Sequence, residues 1–143
     1  MILIKNKLAP QSVRPVAEQV HLLVERAMFL KRRWRISAPD GTEFGFDLET
    51  RLNHGCVIHQ TGTHDYVVLQ QPELIYEIET PTPEFAALVG WKVGNLHFPI
   101  QVLPDRVRIL HDSAITQLFE REKWKVVEAM AIFNPMRVVP HAS

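Results

Sequence analysis

The chain has 143 residues, 46% of them apolar and 22% charged, and its 16 Lys and Arg balance its 16 Asp and Glu. That length holds one domain or two very small ones, and zero net charge argues against a nucleic-acid backbone or an anionic membrane as the main partner, since both favour a basic excess. Seven histidines stand against one cysteine, so imidazole is the plentiful metal ligand, and an intrachain disulfide or a Cys-rich zinc framework is excluded.

Taken in chain order, Val16, Val20, Leu23, Val24, Ala27, Met28 and Leu30 fall near a helical period, which predicts a helix within residues 16–33. Residues 34–36 and 43–48 alternate apolar with polar around Pro39-Asp40-Gly41, a hairpin signal. A second hairpin follows, with residues 56–59 and 66–69 as its arms. Residues 74–79 read as a strand. Thr82-Pro83-Glu84 then supplies an N-cap, a first-turn proline and an acid at the positive end of a helix dipole. The stripe of that helix is Phe85, Leu88, Val89 and the Lys92 stem, and Gly94 is placed to end it in the left-handed conformation. Residues 98–103 and 106–110 form two strands about Pro104-Asp105, and Asp112 or Ser113 caps a helix with Ala114, Ile115, Leu118 and Phe119 on one face. Residues 125–133 make a last strand, stopped by Asn134-Pro135.

The expected fold class is therefore α+β. An N-terminal all-β domain, residues 1–74, precedes a ferredoxin-like βαββαβ domain, residues 75–143, that ends in a short tail. The second domain should carry two helices on one sheet face and leave the other face free. Each part is near the lower size limit for a self-sufficient core, which favours domain contact or dimerisation. A single cysteine suits a reducing compartment. Only four apolar residues, Met1 to Ile4, precede the first charged side chain, and no stretch approaches the roughly 18 of a membrane span, so a cytoplasmic location is expected.

The densest ligand cluster is His54, Cys56, His59 and His64, which zinc would accept. In an extended strand, however, His54 and Cys56 share a face while His59 points the other way. That geometry favours a hairpin with Cys56 in the core and histidines on its rim, and leaves a small structural zinc or adaptor protein as the alternative. His97 lies in Gly94-Asn95-Leu96-His97-Phe98-Pro99, with its backbone bracketed by glycine and proline and with Trp91 nearby. Its neighbours suggest an interface; a surface histidine packed on Trp91 is the other choice. His111 precedes Asp112 and is either a ligand or a residue hydrogen-bonded near a helix start, and His141 lies on the tail. Lys31-Arg32-Arg33-Trp34-Arg35 is the strong basic run. It could serve RNA through a stacking Trp34, but whole-chain neutrality favours a solvated strand edge or a protein contact. No nucleophile and base can be assembled, so an enzyme is not expected.

Three segments together resemble the UreE family, the nickel metallochaperones of urease maturation. They are residues 31–45, Gln71-Pro72-Glu73 leading into Ile78-Glu79, and above all Gly94-Asn95-Leu96-His97-Phe98-Pro99-Ile100-Gln101-Val102 followed by His111-Asp112. The resemblance implies a homodimer built through the ferredoxin-like domains, with His97 and its two-fold mate binding Ni(II) at the interface. It implies an N-terminal domain similar to a chaperone peptide-binding module, and, as partners, the urease accessory GTPase and apo-urease with its other accessory proteins. Auxiliary ligands would be His111 and His141, and Zn(II) or Cu(II) would compete for the site. It also implies that residues 16–33 are partly strand, with a short helical turn near 24–29. Two departures stand out: Ser113 occupies a place where many members carry histidine, and the tail offers His141 in place of a histidine-rich run. Extra storage sites are therefore not expected.

Overall fold

Alternating apolar side chains organise the N-terminal half of the computed structural model, which describes residues 1–136 and divides into two units, Met1–Gln71 and Pro72–Ser143. The first unit holds strands β1 (Ile2–Ile4), β2 (Gln19–Val24), β3 (Arg33–Ser37), β4 (Glu43–Asp47), β5 (Cys56–Gln60) and β6 (Asp65–Gln70). They form two three-stranded sheets, ordered β1-β4-β3 and β2-β6-β5. Their inward residues, among them Leu22, Phe44, Phe46, Ile58 and Val68, share one apolar cluster. The β3–β4 hairpin forms as the sequence predicts: Ala38 N–H donates to Thr42 O at 2.8 Å across a turn that needs Gly41 at φ 89°, and Trp34 stacks on Phe46 with centroids 4.1 Å apart.

The predicted helix over residues 16–33 is not there. Short 3-10 turns at Val16–Glu18 and Arg26–Leu30 flank strand β2 instead. β2 lies parallel to β6 with six residues in register, burying Leu22 and Val24 and leaving Leu23 half exposed. Non-local pairing that buries alternate residues outweighs a local helical period. The family-based expectation of extended pieces around a helical turn matches, with Phe29 of that turn reaching the core.

The second unit holds β7 (Glu73–Glu79), α1 (Pro83–Asn95), β8 (Ile100–Val102), β9 (Arg106–Leu110), a 3-10 turn (Ser113–Ile115), α2 (Thr116–Glu122) and β10 (Val127–Ala131). Its antiparallel sheet is ordered β10-β7-β9-β8. Val89 and Val93 of α1, with Ile115, Leu118 and Phe119, pack on Tyr76, Ile78, Val107 and Ile109 of the sheet. The chain is thus mixed α+β, mostly strands with two helices. Thr82 Oγ1 accepts from Phe85 N–H at 3.2 Å and Asp112 Oδ1 from Ala114 N–H at 2.9 Å, so both predicted helix starts form. Lys92 and Glu122 tie the helices by an ion pair.

Three expectations for this unit need correction. The buried stripe of α1 is Phe85, Val89 and Val93, while Leu88 is half exposed. Gly94 stays helical, because Val93 is fully buried and carries the helix one turn further than expected. The helix-free sheet face is not free either. β10 ends at Ala131 and residues 132–136 cross that face: Arg108 Nη1 donates to Ile132 O at 3.2 Å, Asn134 N–H to Gln101 Oε1 at 3.0 Å and Met136 N–H to Ile100 O at 2.8 Å. Arg108 and Gln101 alternate with the helix-facing Val107, Ile109 and Ile100, which fixes the side on which this strap lies. Phe133 beneath it is fully buried. Among the described residues no helix is long and apolar enough to cross a membrane.

Candidate metal centre

His97 ends α1. Leu96 N–H donates to Val93 O at 3.1 Å and His97 N–H to Gly94 O at 3.0 Å, and His97 itself takes the left-handed conformation, φ 62°. Glycine adopts that conformation without penalty, whereas a side chain costs on the order of 1 kcal/mol. Pro99, two residues on, bars a further helical turn. The imidazole is exposed, and large apolar side chains surround it in sequence and on the helix face: Trp91 is 67% exposed, Leu96 46% and Leu88 42%. Leu88 and Trp91 stand one turn apart and so share a face.

His111 follows β9. Its Nε2 lies 3.0 Å from Glu128 Oε1, and its ring stacks on Tyr76 with centroids 4.6 Å apart. Burial, with the Glu128 charge adding to it, pushes the Tyr76 phenol up, and that hydroxyl donates to Asp112 O at 3.3 Å. Ile100 faces Ile109 in the sheet. The start of β8 and the end of β9 therefore share one end of the sheet, with His97 three residues before the one and His111 directly after the other. Among the described residues no three His, Cys, Asp or Glu side chains gather as a metal site, so His97 and His111 do not form one with a third ligand. His141 lies outside the described residues.

The N-terminal histidines are dispersed. His54 Nδ1 accepts the Gln70 N–H at 2.9 Å, which fixes the tautomer with its proton on Nε2. Cys56 is buried, and burial pushes its thiol up, away from the thiolate that a metal requires. An extra residue in β5 at Ile58 breaks the strict alternation assumed for this strand. His59 packs near the rings of Phe44 and Tyr66, 5.9 and 5.5 Å between centroids, and His64 Nδ1 meets Thr63 Oγ1 at 2.9 Å. These four residues do not assemble the zinc site of the alternative reading. Within the basic run, Arg32 and Arg33 both reach Asp47, at 3.1 and 3.3 Å, and the Arg33 bond holds that carboxyl below the usual range. Trp34 is buried against Phe46, so it offers no ring for a base to stack on.

Two features of the centre escape sequence reasoning. The left-handed backbone of His97 has no signature, since Gly94 is the residue that invites that assignment. Glu128 as the partner of His111 follows from the pairing Glu128↔Tyr76↔Ile109 across three strands, a register that sequence spacing does not carry.

Residues 73–142 match the family model described as UreE urease accessory protein, C-terminal domain. The chain is 31% identical over 107 residues to the urease accessory protein UreE of Chelativorans sp. (strain BNC1), covering 73% of this chain and 68% of that protein. It is 29% identical over 119 residues to urease accessory protein UreE 1 of Brucella suis biovar 1 (strain 1330), covering 82% and 74%. To the urease accessory protein UreE of Pseudomonas putida (strain GB-1) it is 28% identical over 138 residues, covering 94% and 82%.

Proposed function

We infer, from the premise that this chain belongs to the UreE family of urease accessory proteins, that it carries Ni(II) to apo-urease while the urease metallocentre is assembled. It is an accessory chaperone and not an enzyme. The observation that supports nickel carriage is His97, an exposed imidazole held at a helix end in a conformation that disfavours histidine, beside an apolar patch that lacks cover. A second copy of the chain would cover the patch and bring a second His97, so a two-fold axis turns one ligand into two. The homodimer would form through residues 75–143, whose strand order β10-β7-β9-β8 with two crossover helices is that of a ferredoxin-like domain. Residues 1–74 would be the β domain that meets partners.

His111 and His141 are the auxiliary ligands. His111 shares the His97 end of the sheet and would have to exchange Glu128 for metal. His141 is five residues beyond Met136, whose amide is bonded to Ile100 at that same end; five residues span at most about 17 Å. Few protein ligands leave the ion exchangeable, as a carrier requires. Imidazole does not discriminate against Cu(II), which stands above nickel in affinity, or exclude Zn(II). Supply and partners therefore set the cargo: the urease accessory GTPase and apo-urease with its other accessory proteins, in the cytoplasm.

Titration calorimetry with nickel chloride tests this. His97→Ala should abolish the tight phase and His54→Ala should leave it unchanged; the opposite pattern would reject the site. Protons compete with metal for imidazole, so affinity should fall steadily from pH 8 to pH 5. A flat profile would mean that histidine is not the principal ligand.

A further inference from the structure

At the end of the β7–β9 sheet away from His97, β10 leaves its neighbour early. The ladder begins at Val127 opposite Glu77, so Ile78 and Glu79 are paired on one side, with Val107 and Arg106, and have no strand on the other. A groove of 650 Å³ lies there, between that edge and the chain that follows α2. One apolar corner is made by Phe85 and Trp124, edge to face at 6.1 Å. The outer wall is Lys123 and Lys125, both exposed and neither with an ion-pair partner among the described residues. Lys123 caps α2 in the left-handed conformation, φ 55°, which glycine would adopt without strain. A lysine stands there nonetheless, on the groove rim. Of the acids that line the floor, Glu77 is neutralised by Arg106 at 3.2 Å and Arg108 at 2.9 Å.

We propose that this groove receives an extended acidic segment of a partner protein, which adds a short strand to the open edge of β7, seats an apolar side chain against the Phe85–Trp124 corner, and sets its carboxylates against Lys123 and Lys125. Each part matches one feature of the site: the unpaired edge supplies main-chain bonds, the aromatic corner a side-chain anchor, and the unpartnered lysines the sign of the charge. The groove offers two unpartnered lysines and an apolar corner in a chain of zero net charge, which favours a carboxylate-bearing peptide with an apolar centre over a phosphate backbone or an anionic lipid surface, both of which call for a basic excess. The site is separate from His97 and does not depend on metal.

The test uses the full chain and a fluorescein-labelled peptide of about ten residues, Asp and Glu flanking a central Leu-Phe-Val, read by anisotropy at about 50 mM salt, where surface charge is weakly screened. Replacing the acids of the peptide by Asn and Gln should weaken binding by about tenfold, and so should Lys125→Glu. Lys123→Gly, which removes a charge and relieves the backbone, should weaken binding while raising the melting temperature. In amide spectra the peptide should shift Glu79 and the Trp124 indole. Equal affinity of wild type and Lys125→Glu, or shifts confined to another surface, would overturn the proposal. Tighter binding of a ten-nucleotide single strand than of the peptide would overturn it too, as would self-association that Lys125→Glu abolishes.

Discussion

A histidine at φ 62° sits where its own backbone preference would not put it, and His97 stays there because the chain on either side leaves no alternative. Val93 is buried and holds the last full turn of α1, the amides of Leu96 and His97 close the helix end, and Pro99 prevents continuation. Strain kept at an exposed polar residue points to use of its side chain. His97→Gly should therefore separate stability from binding. Relief of about 1 kcal/mol raises the melting temperature by about 4–8 °C for a unit of this size, while the heat of nickel binding disappears. A lower melting temperature would show that the side chain supports the fold and that its conformation is not strained. The sequence placed this histidine correctly between a helix and a strand, but assigned the left-handed position to Gly94. Local propensity favours glycine there; the burial of Val93, a tertiary fact, moved the helix end three residues along.

The elements that were legible are those whose signals are local. Pro-Asp-Gly turned β3 into β4, Thr82-Pro83 started α1, and Asp112 started the turn before α2. Those that were not depend on pairing across the chain: β2 took its conformation from β6, and the bulge at Ile58 changed which side chains of β5 are buried. The strap of residues 132–136 belongs to the same class. Its sequence, Ile132-Phe133-Asn134-Pro135-Met136, reads as the end of a strand, yet Phe133 fills the helix-free face of the sheet and the Met136 amide reaches Ile100 on the far strand. Phe133→Ala should cost about 3–5 kcal/mol, visible as a lower denaturation midpoint. Because the same residues hold the Met136 amide on Ile100, hydrogen exchange at that amide should quicken as well. A loss below about 1 kcal/mol, the range of a surface change, would mean that the strap rests on the sheet without filling it.

For the whole molecule, the proposed nickel role makes one chain an incomplete metal site. Among the described residues His97 belongs to no group of three His, Cys, Asp or Glu side chains that could hold a metal ion, and Leu88 and Trp91 on α1 beside it are exposed. Both deficits would be met by the same operation, a two-fold contact over α1, since an isologous interface buries one patch against its copy and pairs each residue on the axis with itself. A 143-residue chain in two small units would gain from that burial in stability as well. Assembly and metal affinity should then be coupled, though no residue of the patch is a ligand. Trp91→Glu sets two carboxylates against each other at the axis, and should yield a monomer in sedimentation whose nickel affinity is lower by on the order of a hundredfold, the gain that joining two weak sites provides. His97→Ala should do the reverse, losing nickel while remaining a dimer, because Trp91 and Leu88 are intact. A Trp91→Glu monomer that binds nickel as tightly as wild type would place the ligands within one chain and remove the need for the axis. A Trp91→Glu protein that stays dimeric would place the contact on a face other than α1, and the partner for His97 would have to be sought there.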